Sequence, residues 1–200
     1  MTVTRTIEGA TKRYIEYMVL EFDDQDQKDA YFVDSGLTYD GAAATTITGL
    51  DHLDGEQVQI LADGAVHPPK TVGGGSITLD YAASVVHVGL GSEAKITSLP
   101  VVPQPVGADP RGRHRKVYRA MVHLHRSLGG FIGVDGGDMD VLVFRQAGDA
   151  MDTAPPLFTG IKELKFPGSY EKVPQVTILQ DQPMPMTVLS IITEVDVGGP

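Results

Sequence analysis

Apolar and polar residues alternate over short stretches of this chain. Between residues 46 and 90 three runs show it: Val58-Gln59-Ile60, Ile77-Thr78-Leu79-Asp80-Tyr81 and Val86-His87-Val88-Gly89-Leu90. A period of two sends successive side chains to opposite faces of a strand, so each run has one face to bury. The turn formers Asp54-Gly55, Asp63-Gly64, Pro68-Pro69 and Gly73-Gly74-Gly75 separate the runs and supply the reversals. This stretch reads as a compact module of paired strands, a small barrel or sandwich over residues 40–92.

The same pattern continues on both sides. Val3 to Ile7 and Lys12 to Phe22, joined at Glu8-Gly9-Ala10, read as a hairpin with Tyr14, Glu16, Met18 and Leu20 on one face. The β-branched and aromatic content decides for strand over helix. Ala30 to Asp34 reads as a short strand before Ser35–Gly41, and the pairs Gly36-Leu37 and Gly89-Leu90 are placed to bring entry and exit of the module together. Further strands follow at Lys95–Val102, Lys116–Arg126, Met139–Arg145, Ile161–Phe166, Val176–Gln180 and Met186–Ile192, with residues 194–200 loose. Tyr118, Ala120, Val122 and Leu124 form the expected buried face of Lys116–Arg126. The expected fold class is all-β: an antiparallel, sandwich-like layer built from residues 1–39 and 93–200, with the 40–92 module inserted into it.

Composition narrows the function classes. Apolar residues make up 42% of 200, enough for a packed core, while 23 Gly and 13 Pro suit many turns. Cysteine is absent, which removes disulfides, zinc–thiolate sites and thiol nucleophiles. No apolar run approaches the roughly 20 residues of a membrane span. The first residues lack the apolar stretch of a signal peptide, so synthesis in the cytoplasm is expected. A net charge of −10 opposes free binding of nucleic acid or anionic membrane by the molecule as a whole.

One segment runs against that charge. Six of the sixteen cationic residues and three of the six histidines lie between Arg111 and Arg126. Without a nucleic-acid fold signature, Arg111, Arg113, Arg115, Lys116 and Arg119 read as contacts to another subunit or to acidic loops of the same chain. Charge reversal at Arg113 and Arg115 is then expected to weaken assembly. His123 and His125 share one strand face, but no third and fourth ligand stand near, so an exposed or interfacial pair is the reading, and no metal is expected. Asp23–Asp29 lacks the Gly and Glu of a calcium loop and reads as a solvated turn. Asp135-Gly136-Gly137-Asp138-Met139-Asp140, three carboxylates beside two glycines, reads as a hairpin turn in preference to a weak calcium site. Gly73-Gly74-Gly75-Ser76 lacks the lysine of a phosphate loop and leads into a strand. No catalytic residues and no cofactor are picked out, and the chain is not read as an enzyme.

Several blocks, in order, resemble a known family. They are Thr11–Tyr17 (TKRYIEY), Phe32–Gly41 (FVDSGLTYDG), Gly49–Gly55 (GLDHLDG) with Ala62-Asp63-Gly64, Pro155–Gly160 (PPLFTG) and Gln180–Val188 (QDQPMPMTV). The set resembles the C-terminal part of the tail nozzle (tail tubular protein B-type) proteins of short-tailed phages and prophages. That resemblance implies a virion structural protein of the tail, assembled in bacterial cytoplasm as a homo-oligomeric ring of six. Its partners would be the adaptor, the tail fibre or spike, and genomic DNA passing through the channel without specific binding. Family members carry a long N-terminal region with a β-propeller ahead of the Arg-Tyr-Ile-Glu block, which here lies close to Met1. A truncated gene, a split gene and an excised segment all account for that. A receptor- or glycan-binding β module of a phage tail is the alternative, set back by the absence of Trp. A nucleic-acid-binding barrel and a hydrolase rank behind it.

Overall fold

A computed structural model describes residues 1–18, 22–103, 112–150 and 153–198. The protein is all-β and antiparallel: thirteen described strands form four sheets, with two single 3-10 turns at Gln27–Asp29 and Asp51–Leu53. No described helix is long and apolar enough to cross a membrane. The chain divides into two compact units, one of Met1–Ser92, Gly148–Pro156 and Gln182–Pro185, the other of Glu93–Ala147, Leu157–Asp181 and Met186–Pro200.

In the first unit, β1 (Thr2–Ile7) and β2 (Ala10–Ile15) form a hairpin, and β3 (Asp34–Thr48), β4 (Gln57–Ala62), β5 (Ala65–Thr71) and β6 (Ser76–Leu90) form a sheet of order β3-β6-β4-β5. Three reversals have positive φ at both central residues, at Glu8-Gly9, Asp63-Gly64 and Gly74-Gly75. That backbone matches the right-handed twist of the strands it joins. β6 is long enough to bend. Its second half pairs with β4 and the start of β3; its first half pairs with the end of β3. The inward residues Ile47, Leu50, Leu53, Val58, Ile60, Val86 and Val88 make one core, capped by Ile7 of the hairpin. Each such side chain contributes about 1.5–3 kcal/mol by leaving water.

The expected division into layers does not match this unit. Residues 1–39 belong with the module and not with an outer layer, because β3 is continuous from Asp34 to Thr48 and a boundary at 39/40 would cut it. Residues 30–33, expected to be strand, are not, and the stretch at 35–41 that follows them is. Pro68-Pro69 does not turn the chain either. Both prolines lie within β5, a sheet edge, at a register shift between Val58 and Ile60. An edge tolerates residues that cannot donate to a ladder.

In the second unit, β8 (Arg115–Ser127) is the central strand of a sheet of order β11-β8-β13, with β11 spanning Phe158–Lys165 and β13 spanning Thr187–Val197. A second sheet has the order β10-β9-β12-β7, from β7 (Ala94–Thr97), β9 (Phe131–Gly133), β10 (Met139–Val141) and β12 (Thr177–Gln180). Val117, Ala120, Val122, Leu124, Ile132, Phe166, Val176 and Ile178 share its core. The tail expected to be loose is ordered through Val197, because β13 continues its ladder with β8 as far as Arg115.

Candidate functional site

Two clusters of polar side chains stand out, one in each unit. The first is built where β2 ends, β3 begins and the Asp51–Leu53 turn passes. Alternation along β2 turns Tyr14 inward, and Glu16, just past the end of the strand, keeps to the same side. Arg5 reaches Glu16 with two parallel hydrogen bonds, Nε to Oε1 and Nη2 to Oε2, each 3.0 Å. Ser35 Oγ donates to Glu16 Oε1 at 2.8 Å. Ser35 sits at φ +50°, a strained setting for a side chain with a Cβ. Its carbonyl is held by His52 Nε2 at 2.7 Å, so that nitrogen carries the proton. Tyr14 closes the circuit by donating to the His52 carbonyl at 3.1 Å, with its ring edge-on to the imidazole.

The electrostatics follow from this geometry. The Arg5 guanidinium, first by hydrogen bonding and then by charge, holds the Glu16 carboxyl below the usual carboxylate range, and Ser35 adds to it; burial opposes them. Arg5 is pushed up by the same bond. A carboxylate fixed as an anion, its hydrogen-bonding capacity spent on a bidentate Arg and a hydroxyl, ties three segments together and is poorly suited to move protons.

The second cluster is the basic strand. Arg111 lies outside the described residues. Arg113 is exposed, and Lys116 is half-buried on β8 opposite Asp196. Arg119 lies between two carboxylates, Glu163 at 3.2 Å and Glu194 at 3.4 Å. Arg119 therefore meets acidic groups of its own chain, on the two neighbouring strands. Arg115 corrects the expectation for it: at 3% exposure it is an interior residue and not a surface contact. Its Nη1 donates to the Val101 carbonyl at 2.8 Å and its Nη2 to the Lys172 carbonyl, while its backbone bridges Glu171.

A bulge explains the misplacement. Between Glu194 and Val195 of β13 the register on β8 steps from Arg119 to Val117, so Tyr118 is the extra residue. An extra residue reverses the phase of alternation beyond it. Arg115 and Val117 turn inward, and Tyr118, expected on the buried face, is exposed with its hydroxyl pushed up by a hydrogen bond to Glu194. His123 is half-buried and His125 exposed. Among the described residues no group of three His, Asp or Glu side chains is placed to hold a metal ion.

The sequence reading missed the first cluster altogether. Its signal was present but scattered: Tyr14 and Glu16, Ser35, and His52 lie in three of the blocks that carry the family resemblance. No family model matches the chain, and a search of curated proteins finds no match.

Proposed function

We propose that this chain is a structural component of a short-tailed phage tail, part of the nozzle wall through which DNA leaves the particle. The observation that carries the reading is the convergence of the resembling blocks. Thr11–Tyr17, Phe32–Gly41 and Gly49–Gly55 are separated in sequence, and they meet around Glu16 through Ser35, His52 and Tyr14. Independent chance matches have no reason to interlock, whereas blocks that jointly specify one packed junction do. The all-β antiparallel architecture and the net charge of −10 support the same reading, since a wall of like charge does not hold phosphates.

Mass spectrometry of purified phage particles, with an affinity label on this chain located by electron microscopy, tests it. The expected result is label on the tail below the capsid vertex. Particles that contain the other tail proteins and lack this chain would overturn the reading.

A further inference from the structure

The sheet β11-β8-β13 has two edges of opposite character. Among the described residues, β11 and β13 each pair with β8 alone. Their outer edges therefore present rows of backbone donors and acceptors able to take another strand. Both strands are antiparallel to β8, so they run parallel to each other.

The register sets their side chains in common rows. Lys165 and Glu194 both lie opposite Arg119. Glu163 and Ile192 both lie opposite Met121. Ile161 and Ser190 both lie opposite His123, with Leu189 the extra residue at the adjoining bulge. Ile161, Leu189 and Ile192 are 55%, 56% and 47% exposed. One row thus sets a base on β11, Lys165, level with an acid on β13, Glu194; the other two set Ile161 level with Ser190, beside the bulged Leu189, and Glu163 level with Ile192.

A second copy set beside β13 in the same orientation brings its own β11 to that edge. Glu194 then stands level with Lys165 of the copy, while Ser190, with Leu189 beside it, stands level with Ile161 and Ile192 stands level with Glu163. A joint between two β13 edges gathers Glu194 and Asp196 twice with no base on either strand; one between two β11 edges gathers Lys162 and Lys165 twice against two copies of one acid, Glu163. The signs select the unlike pairing.

We propose that β13 of one copy adds to β11 of the next, continuing the sheet head to tail. Such a joint is heterologous, and it closes into a ring or runs on as a filament according to the rotation per step. It names the partner that a wall of repeated subunits requires, and to that extent rests on the structural role proposed above.

Sedimentation velocity of the full chain over a concentration series tests it. The wild-type chain is expected to associate. Glu194→Lys and Lys165→Glu should each raise the dissociation constant at least about tenfold, the cost of ~1.4 kcal/mol. An equimolar mixture of the two variants should regain association, because each supplies the edge that the other lacks. Circular dichroism checks that each variant is folded. Ile161→Glu reads the same joint should either fail to fold. A wild-type chain that stays monomeric at ~100 μM, where a joint of even modest affinity is populated, overturns the proposal. So do variants that associate like wild type, or a mixture that does not recover. A monomeric chain found in tails would sink this joint and leave the structural reading standing; an associating chain absent from particles would do the reverse.

Discussion

Glu16 and His87 show how individual side chains hold the first unit, by opposite use of charge. Glu16 and Arg5 are paired at 17% and 16% side-chain exposure, so water screens them only in part. Glu16→Gln keeps the shape and removes the charge; chemical denaturation should report a loss of about 1–2 kcal/mol, the range for a charged hydrogen bond that is not fully buried. The folded carboxyl lies below its unfolded value. Its stabilisation is therefore complete above the ordinary carboxylate range and lost as pH falls through the depressed folded value, and the variant should show a shallower acid limb. His87 is held neutral. Its Nε2 donates to the Lys28 carbonyl at 2.9 Å, Thr38 Oγ1 lies 2.8 Å from Nδ1, Tyr31 packs edge-on and Asp29 stands nearby. Burial pushes its pKa down, outweighing the Lys28 carbonyl and Asp29. Stability should therefore be full above about pH 6.5 and fall as pH drops through that unfolded value towards the folded one. Thermal unfolding of wild type and His87→Gln across pH 5–8 checks this, with the variant flat in the interval where wild type slopes. Arg113 and Arg115 separate as cleanly. Arg115→Glu sets a carboxylate against two carbonyls and should cost about 3 kcal/mol or more, while Arg113→Glu, on an exposed residue, should leave the unfolding midpoint unchanged.

Among the elements, the long bulged strands decide what the periodicity could convey. Short runs such as Val86–Leu90 and most of Ile161–Phe166 were legible as strand, but their buried faces were not, since His87 and Gly89 are buried along with Val86 and Val88, and Ile161 is exposed. β3 was not legible. Its ladder with β6 shifts register three times, so inward positions do not recur every second residue. The Tyr118 bulge hid the burial of Arg115 by the same means. Gly36 and Gly89 fared better, since the structure brings them together as expected, with β3 and β6 in close approach. A Cβ on Gly89 would lie 2.6 Å from the Asp34 carbonyl oxygen and 2.8 Å from Gly36 Cα, backbone atoms that cannot swing aside. Gly89→Ala should cost about 2 kcal/mol by overpacking, and hydrogen exchange should show it first in the β3–β6 amides.

For the whole molecule, charge sets the expectation. At −10, and with Arg115 buried and Arg119 engaged by two acids, little free positive charge remains on β8 to gather phosphates. The chain should not retain duplex DNA at physiological ionic strength in a filter-binding assay, and lowering the salt should rescue only weak binding. Retention that survives physiological salt would revive the nucleic-acid-binding barrel.

Fold class and the glycine turns were determined by the sequence alone, since each rests on residues a few positions apart: alternation for strands, and Asp63-Gly64 or Gly74-Gly75 where φ must be positive. The partition into units, the phase of β8 and the Glu16 junction were decided only by the tertiary structure. A bulge is an imbalance between two strands, and nothing within one of them records it. Glu16, Ser35 and His52 acquire their meaning from segments that meet only after the chain has folded, because the hydrogen bonds that join them span 17 to 19 residues.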